Sequence, residues 1–209
     1  MRQAERVLGR LPSALNGKVG DQKVNDRHQH AHWFWLDDDR GQVSDLVLWM
    51  PGEGLAAGVA SALVAQSGFA GFDRYNPRGF RPGSVYVVAM GEARHVVPDL
   101  VRPARLWVGR TPYIPVRHRK RTQSVQDWIS RDVAKECEYR GLPAPSQVEL
   151  QDRRPPTSGY RRYRWDESMR AQRPAFWVSV RFGQPLEDAV PLSLGGLSHF
   201  GFGLFASGL

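Results

Sequence analysis

Cysteine is nearly absent from this chain, long apolar runs are missing, and one stretch of it holds no acid at all. The single cysteine, Cys137, excludes an internal disulfide and a multi-cysteine zinc site. No apolar run is long enough for a bilayer, which excludes a spanning helix. Arg2, Glu5, Arg6 and Arg10 interrupt any apolar core of the kind a signal peptide needs, so the expected setting is the cytoplasm. No amphipathic stretch carries a basic polar face, which ranks a membrane-surface protein last.

What is present is positive charge. The 209 residues, 41% hydrophobic and 24% charged, are ordinary globular material with room for one large domain or two small ones. A net charge of +8 and a pI near 10.1 are not ordinary, and they favour an anionic partner, nucleic acid before an acidic membrane. Residues 102–121 hold Arg102, Arg105, Arg110, Arg117, Arg119, Lys120 and Arg121 with no acid between them. Residues 153–173 add Arg153, Arg154, Arg161, Arg162, Arg164, Arg170 and Arg173, interleaved with Tyr160, Tyr163 and Trp165. A run of charge is ordinarily a solvated face, but such faces mix signs, and the first of these does not. Arginine's planar fork pairs with phosphates and stacks on bases. Basic loops laced with aromatics suit RNA better than DNA, because single strands and hairpins are read by shape, stacking and phosphate contact.

Hydrophobic spacing predicts the element order. Residues 2–15 read as a helix, 16–27 as a loop, and 26–36 as a strand entered through histidines. A turn over 37–41 leads to a partner strand over 43–50. Residues 55–66 read as a helix, 69–83 as irregular and 84–90 as a third strand. This first half is a ferredoxin-like βαββαβ unit lacking its first strand, which is expected upstream of Met1 or on another chain. The second half reads as strand 105–113, helix 124–140 stopped by Gly141-Leu142-Pro143, strand 146–150, the basic insertion, and strand 175–182. A short helix from Pro185 to about Leu194, a glycine-rich loop and a final strand complete a second unit. The expected architecture is therefore α+β: tandem ferredoxin-like (RRM-like) units over 1–101 and 102–209, with the boundary near 97–102.

Two stretches carry candidate chemistry. The ending from Leu192 to Phe205 alternates Gly195, Gly196, Gly201 and Gly203 with large apolar residues around His199. Glycine permits positive φ and close backbone approach, so such a loop can offer N–H groups to a phosphate; a tight turn with a bulge is the plainer reading. In the final strand Phe200, Phe202 and Leu204 are expected on one face. His28, His30 and His32 alternate, so in a strand they share a face. They could bind a metal or move a proton near neutral pH. The metal reading lacks a partner set, since Asp37, Asp38 and Asp39 suit a solvated turn. His32, between Ala31 and Trp33, is equally consistent with simple packing, and Cys137 sits at a core-facing helical position.

Three stretches in order carry a resemblance. They are His28-Gln29-His30-Ala31-His32 before a polar hairpin, the run from Thr111 to Lys120 (TPYIPVRHRK), and the glycine-rich ending from Leu194 to Phe205. Together they resemble the fused backbone-and-processing CRISPR-associated protein of type I-G (formerly I-U) systems, over about Ala4 to Phe205. The second half is similar to the CRISPR repeat endoribonucleases.

The resemblance implies tandem ferredoxin-like domains with a glycine-rich loop before the last strand, and metal-free cleavage within the repeat without any cofactor. The substrate's 2′-hydroxyl attacks the adjacent phosphate, leaving a 2′,3′-cyclic phosphate and a 5′-hydroxyl. The implied partners are the repeat hairpin, the guide RNA and other subunits of a type I surveillance complex. The fused form also carries an N-terminal half that this chain lacks, which agrees with the missing strand and makes that half a further partner. On this reading His30 is the general base, with His28 as acid or alternative base and His199 as rival. Arg117, Arg119, Lys120 and Arg121 hold phosphates, joined by Arg161, Arg162 and Arg164. The loop of Gly195, Gly196, Gly201 and Gly203 with His199 cradles the hairpin. A non-cleaving RNA scaffold ranks second, and a metal-dependent hydrolase using His28, His30 and His32 third.

Overall fold

A computed structural model describes residues 15, 18–19, 22–23, 30–38, 43–51, 68–69, 83–84, 86–152, 174–187 and 190–208. The expected helix over 55–66 and the basic insertion lie outside these residues. So does the helix over 2–15 apart from Leu15, which is helical and buried.

The chain forms two units, Met1–Ala31 with Met50–Gly91, and His32–Trp49 with Glu92–Leu209. This differs from the expected division at 101/102 in that the hairpin of residues 32–49 falls with the C-terminal part. The physical reason is burial: Phe34 packs with Val97, Leu100, Val101 and Leu204 in one apolar cluster.

In the first unit, Lys18–Val19 pairs with Gln22–Lys23, inside the stretch read as a loop, and Gly68–Phe69 pairs with Gly83–Ser84. The strand expected over 84–90 does not extend past Ser84 among the described residues; residues 86–90 have no regular structure, and Tyr86 and Val88 are exposed. Their β-propensity does not suffice, because pairing and burial decide strand formation.

The second unit opens with a hairpin of β1 (His32–Asp37) and β2 (Val43–Trp49), in the register His32 opposite Trp49 and Trp35 opposite Leu46. A single helical turn, α1 (Ala93–Val96), and a 3-10 turn (Pro98–Leu100) lead to β3 (Ala104–Gly109). Helix α2 (Val125–Tyr139), β4 (Pro145–Leu150), β5 (Val178–Leu186) and β6 (Phe205–Ser207) follow. The four later strands form one sheet in the order β6-β3-β5-β4, with every neighbouring pair antiparallel. This is an α+β arrangement of antiparallel sheets, compatible with a ferredoxin-like fold.

Helix α2 forms where its spacing predicts. The Ser124 hydroxyl accepts the Asp127 N–H as an N-cap, and Gly141 at φ +71° ends it. Its inner face buries Trp128, Ile129, Val133 and Cys137 against Trp107, Val178, Val180 and Phe182.

Two expectations after β5 are overturned. Pro185 lies within β5, and no helix forms among the described residues up to Leu194. There the chain runs against the turn that precedes β6: Leu194 N–H donates to Gly203 O and Phe205 N–H to Leu192 O. Its backbone is satisfied across the chain, so a helix is not required. The predicted strand through Phe200, Phe202 and Leu204 is instead a 3-10 turn (Ser198–Phe200) followed by glycine turns. Left-handed Gly201 and Gly203 break the alternation, so Phe200 is exposed while Phe202 and Leu204 are buried.

Candidate nucleic-acid interface

Helix α2 places Asp132, Glu136 and Arg140 at four-residue steps, so they stack along one side. Asp132 and Glu136 are buried. A buried carboxylate is costly unless paired and hydrogen-bonded, and both are. Asp132 Oδ2 accepts the Tyr113 hydroxyl and, at 3.0 Å, the Val116 N–H. Its Oδ1 accepts the Arg117 N–H at 3.1 Å and Arg117 Nη1 at 3.0 Å. The same Nη1 reaches Glu136 Oε1 at 3.2 Å. Glu136 Oε2 accepts the Gly195 N–H at 3.3 Å and lies 3.7 Å from Arg140 Nη2. Arg140 Nη2 in turn donates to Ser198 Oγ at 3.2 Å.

These contacts tie the loop of residues 113–117 and the glycine-rich loop to one side of one helix. They also shift its titrating groups. Burial pushes the Tyr113 hydroxyl up, and the Asp132 carboxylate adds to it. Burial pushes the Cys137 thiol up to about 12. For Arg140 burial dominates and pulls downward, opposed by Glu136. For Arg117 burial also pulls downward, but hydrogen bonding and charge from Asp132, joined by Glu136, outweigh it and the net direction is up.

The glycine loop is packed rather than bare. Gly195 and Gly201 are left-handed, at φ +88° and +87°. A Cβ on Gly195 would lie 2.6 Å from the Tyr113 ring, and one on Gly201 would strike Trp35. The N–H groups of its glycines are taken up internally: among them, Gly196 donates to Ile114 O at 2.7 Å and Gly203 to Pro112 O at 2.9 Å. Gly195, Gly196 and Gly203 thus serve close approach to the 112–114 segment.

His30 is half-buried at a bend in the first unit, whereas His32 starts the second and is fully buried. His28 lies outside the described residues. The alternating trio therefore does not share one strand face, because β1 begins only at His32. The ring that meets His32 is His199, with centroids 3.9 Å apart; Trp49 and Phe34 border the same imidazole at 5.0 and 5.8 Å. His199 is half-buried on the 3-10 turn. Among the described residues, no cluster of three His, Cys, Asp or Glu is placed to hold a metal ion.

Of the basic residues, Arg117 is drawn onto Asp132 and Glu136 rather than held for a phosphate, because two buried carboxylates need a cation. Arg119, Lys120 and Arg121, directly after it, are exposed. Arg161, Arg162 and Arg164 lie outside the described residues. The acids Asp132 and Glu136 were missed from sequence. Their signal was present: they fall on the turns between Trp128, Ile129, Val133 and Cys137, inside the apolar face of α2.

No protein-family model matches the chain, and neither a curated protein nor a solved structure matches it. Among the described residues no helix is long and apolar enough to cross a membrane.

Proposed function

We propose that this chain is a metal-independent endoribonuclease acting on CRISPR repeat RNA, the repeat-processing half of the type I-G fused protein, built from tandem ferredoxin-like units. One observation carries the reading. The turn bearing His199 and the loop leading into Arg119, Lys120 and Arg121 hang from the same side of α2, through Arg140–Ser198 and Arg117–Glu136. A titratable ring and a cluster of exposed cations are thereby held by one rigid element.

The chemistry needs little more. A base takes the proton from the 2′-hydroxyl, whose oxygen attacks the neighbouring phosphorus. The pentavalent phosphate gains negative charge, which fixed cations stabilise. The bond to the 5′-oxygen breaks, and that oxygen takes up a proton. In this reading His199 is the base, with Arg119, Lys120 and Arg121 on the phosphates. His30, with His28 beside it in sequence, is the rival base.

The test is incubation of a labelled repeat hairpin in EDTA, with the product's 3′ end analysed. A 2′,3′-cyclic phosphate in wild type, lost in His199→Ala, is the expected result. Full cleavage by His199→Ala with loss in His30→Ala moves the base to His30. Cleavage that needs added divalent metal overturns the metal-independent reading. Binding without cleavage favours the second reading, a non-cleaving RNA scaffold, which the close, tilted contact of buried His32 with His199 supports as a packing role.

A further inference from the structure

We infer that Phe200, together with Trp35 bonded to its backbone, forms a stacking platform for an unpaired RNA base beside His199; the inference rests on the RNA-binding reading. Phe200 is 56% exposed, whereas Phe202 is 6% exposed and Leu204 is fully buried. The ring stands in water on a short turn whose neighbouring positions bury an aromatic and a leucine, so its face is open to a partner. Nothing in the turn needs a ring there, since Phe200 enters its hydrogen bonds through backbone atoms alone. Its N–H donates to Leu197 O at 2.8 Å, and its carbonyl accepts Trp35 Nε1 at 3.1 Å. Gly201 then turns left-handed against Trp35, in space that no side chain could share. The ring is consequently presented on a fixed backbone, which lowers the ordering cost of binding.

The surroundings choose the occupant. At one end of the turn Arg140 holds Ser198 at 3.2 Å; at the other, Leu204 O accepts the N–H of exposed Arg110 at 2.8 Å. An exposed aromatic face on the turn that runs on to exposed Arg110, in a chain of net charge +8, complements a strand that combines flat bases with phosphates. An apolar peptide would use the ring but not the charge. On β1, Trp33 and Trp35 share the outer face with Leu48 and Leu46 opposite, so a second base has aromatic surface within the same hairpin.

The experiment compares full-length chain binding to a ten-nucleotide adenylate RNA and to an abasic strand of equal length and charge, by fluorescence anisotropy. Wild type is expected to prefer the base-bearing strand. Phe200→Ala should weaken that strand by about tenfold and leave the abasic strand unchanged. Phe200→Trp should retain the preference and Phe200→Leu should lose it, which separates stacking from mere apolarity. Equal binding of the adenylate strand by wild type and Phe200→Ala, or full affinity in Phe200→Leu, overturns the platform. If repeat cleavage persists in that case, only the platform falls. If wild type binds neither strand, the RNA-binding reading falls with it.

Discussion

Asp132 grips Arg117 twice through one oxygen, accepting its backbone N–H at 3.1 Å and its Nη1 at 3.0 Å. The side chain of Asp132 is fully buried, while 43% of the Arg117 side chain reaches solvent. The pair is therefore asymmetric: the acid depends on the loop more than the cation depends on the acid. Asp132→Ala strips the acceptor from the Tyr113 hydroxyl and two backbone N–H groups, and is expected to cost about 3 kcal/mol. Arg117→Met should cost less, since solvent screens its half of the interaction and Arg140 still faces Glu136. Urea midpoints of the two variants, at unchanged m-value, check the order.

Cys137 gives a pH prediction. Its thiol is held up to about 12 by burial, against 9.0 when unperturbed. The folded state therefore binds its proton more tightly than the unfolded chain does. Its contribution is complete below pH 9 and is lost as pH rises toward 12. Raised Tyr113 adds to the same alkaline loss at the upper end of that range. Cys137→Ala should show a shallower fall in stability between about pH 9 and 11 than wild type. In the native protein the thiol should resist a thiol-reactive dye at about pH 8 and react on unfolding.

Two left-handed glycines separate conformational strain from collision. Gly141 is at φ +71°, and a Cβ there would meet nothing within 4 Å, so Gly141→Ala costs only its backbone strain, about 1 kcal/mol. Gly203, at φ +59°, would drive a Cβ into the Leu194 carbonyl. Gly203→Ala is expected to cost at least about 3 kcal/mol, because backbone cannot move aside as a side chain tip can. Thermal melts of the two variants measure the difference.

Exposed Arg119, Lys120 and Arg121 should act as phosphate contacts of no sequence preference. Replacing all three by Ala should weaken RNA binding uniformly. It should also make the log K against log salt plot shallower by about 2 for a single strand. An unchanged slope would remove these residues from the interface.

The sequence made part of this legible. Helix α2 was readable because Ser124, the apolar spacing and Gly141 agree with one another, and the 32–49 hairpin because alternation and a polar turn do. Pro185 misled, since proline opens helices yet also fits a strand position that needs no N–H. Phe200, Phe202 and Leu204 alternate as a strand would, and the left-handed glycines between them cancelled that pattern. His32 and His199 could not be linked in advance, because nothing local joins residues that meet only through tertiary packing. The same holds for Arg117, whose neighbours in sequence are cations while its partners in space are acids.

The position of β3 in its sheet has a kinetic consequence. Trp107 pairs with Val180 on one side, and Val108 with Ala206 on the other. Neither neighbour is near in sequence, so the centre of the sheet gains no ladder until two long loops have closed. Loop closure of this kind slows folding relative to helical proteins of similar size. While it is pending, both edges of β3 stand open and Trp107 and Phe205, which end fully covered, face water. A nascent chain in that condition is a natural client for a chaperone, and its yield on refolding should fall with protein concentration.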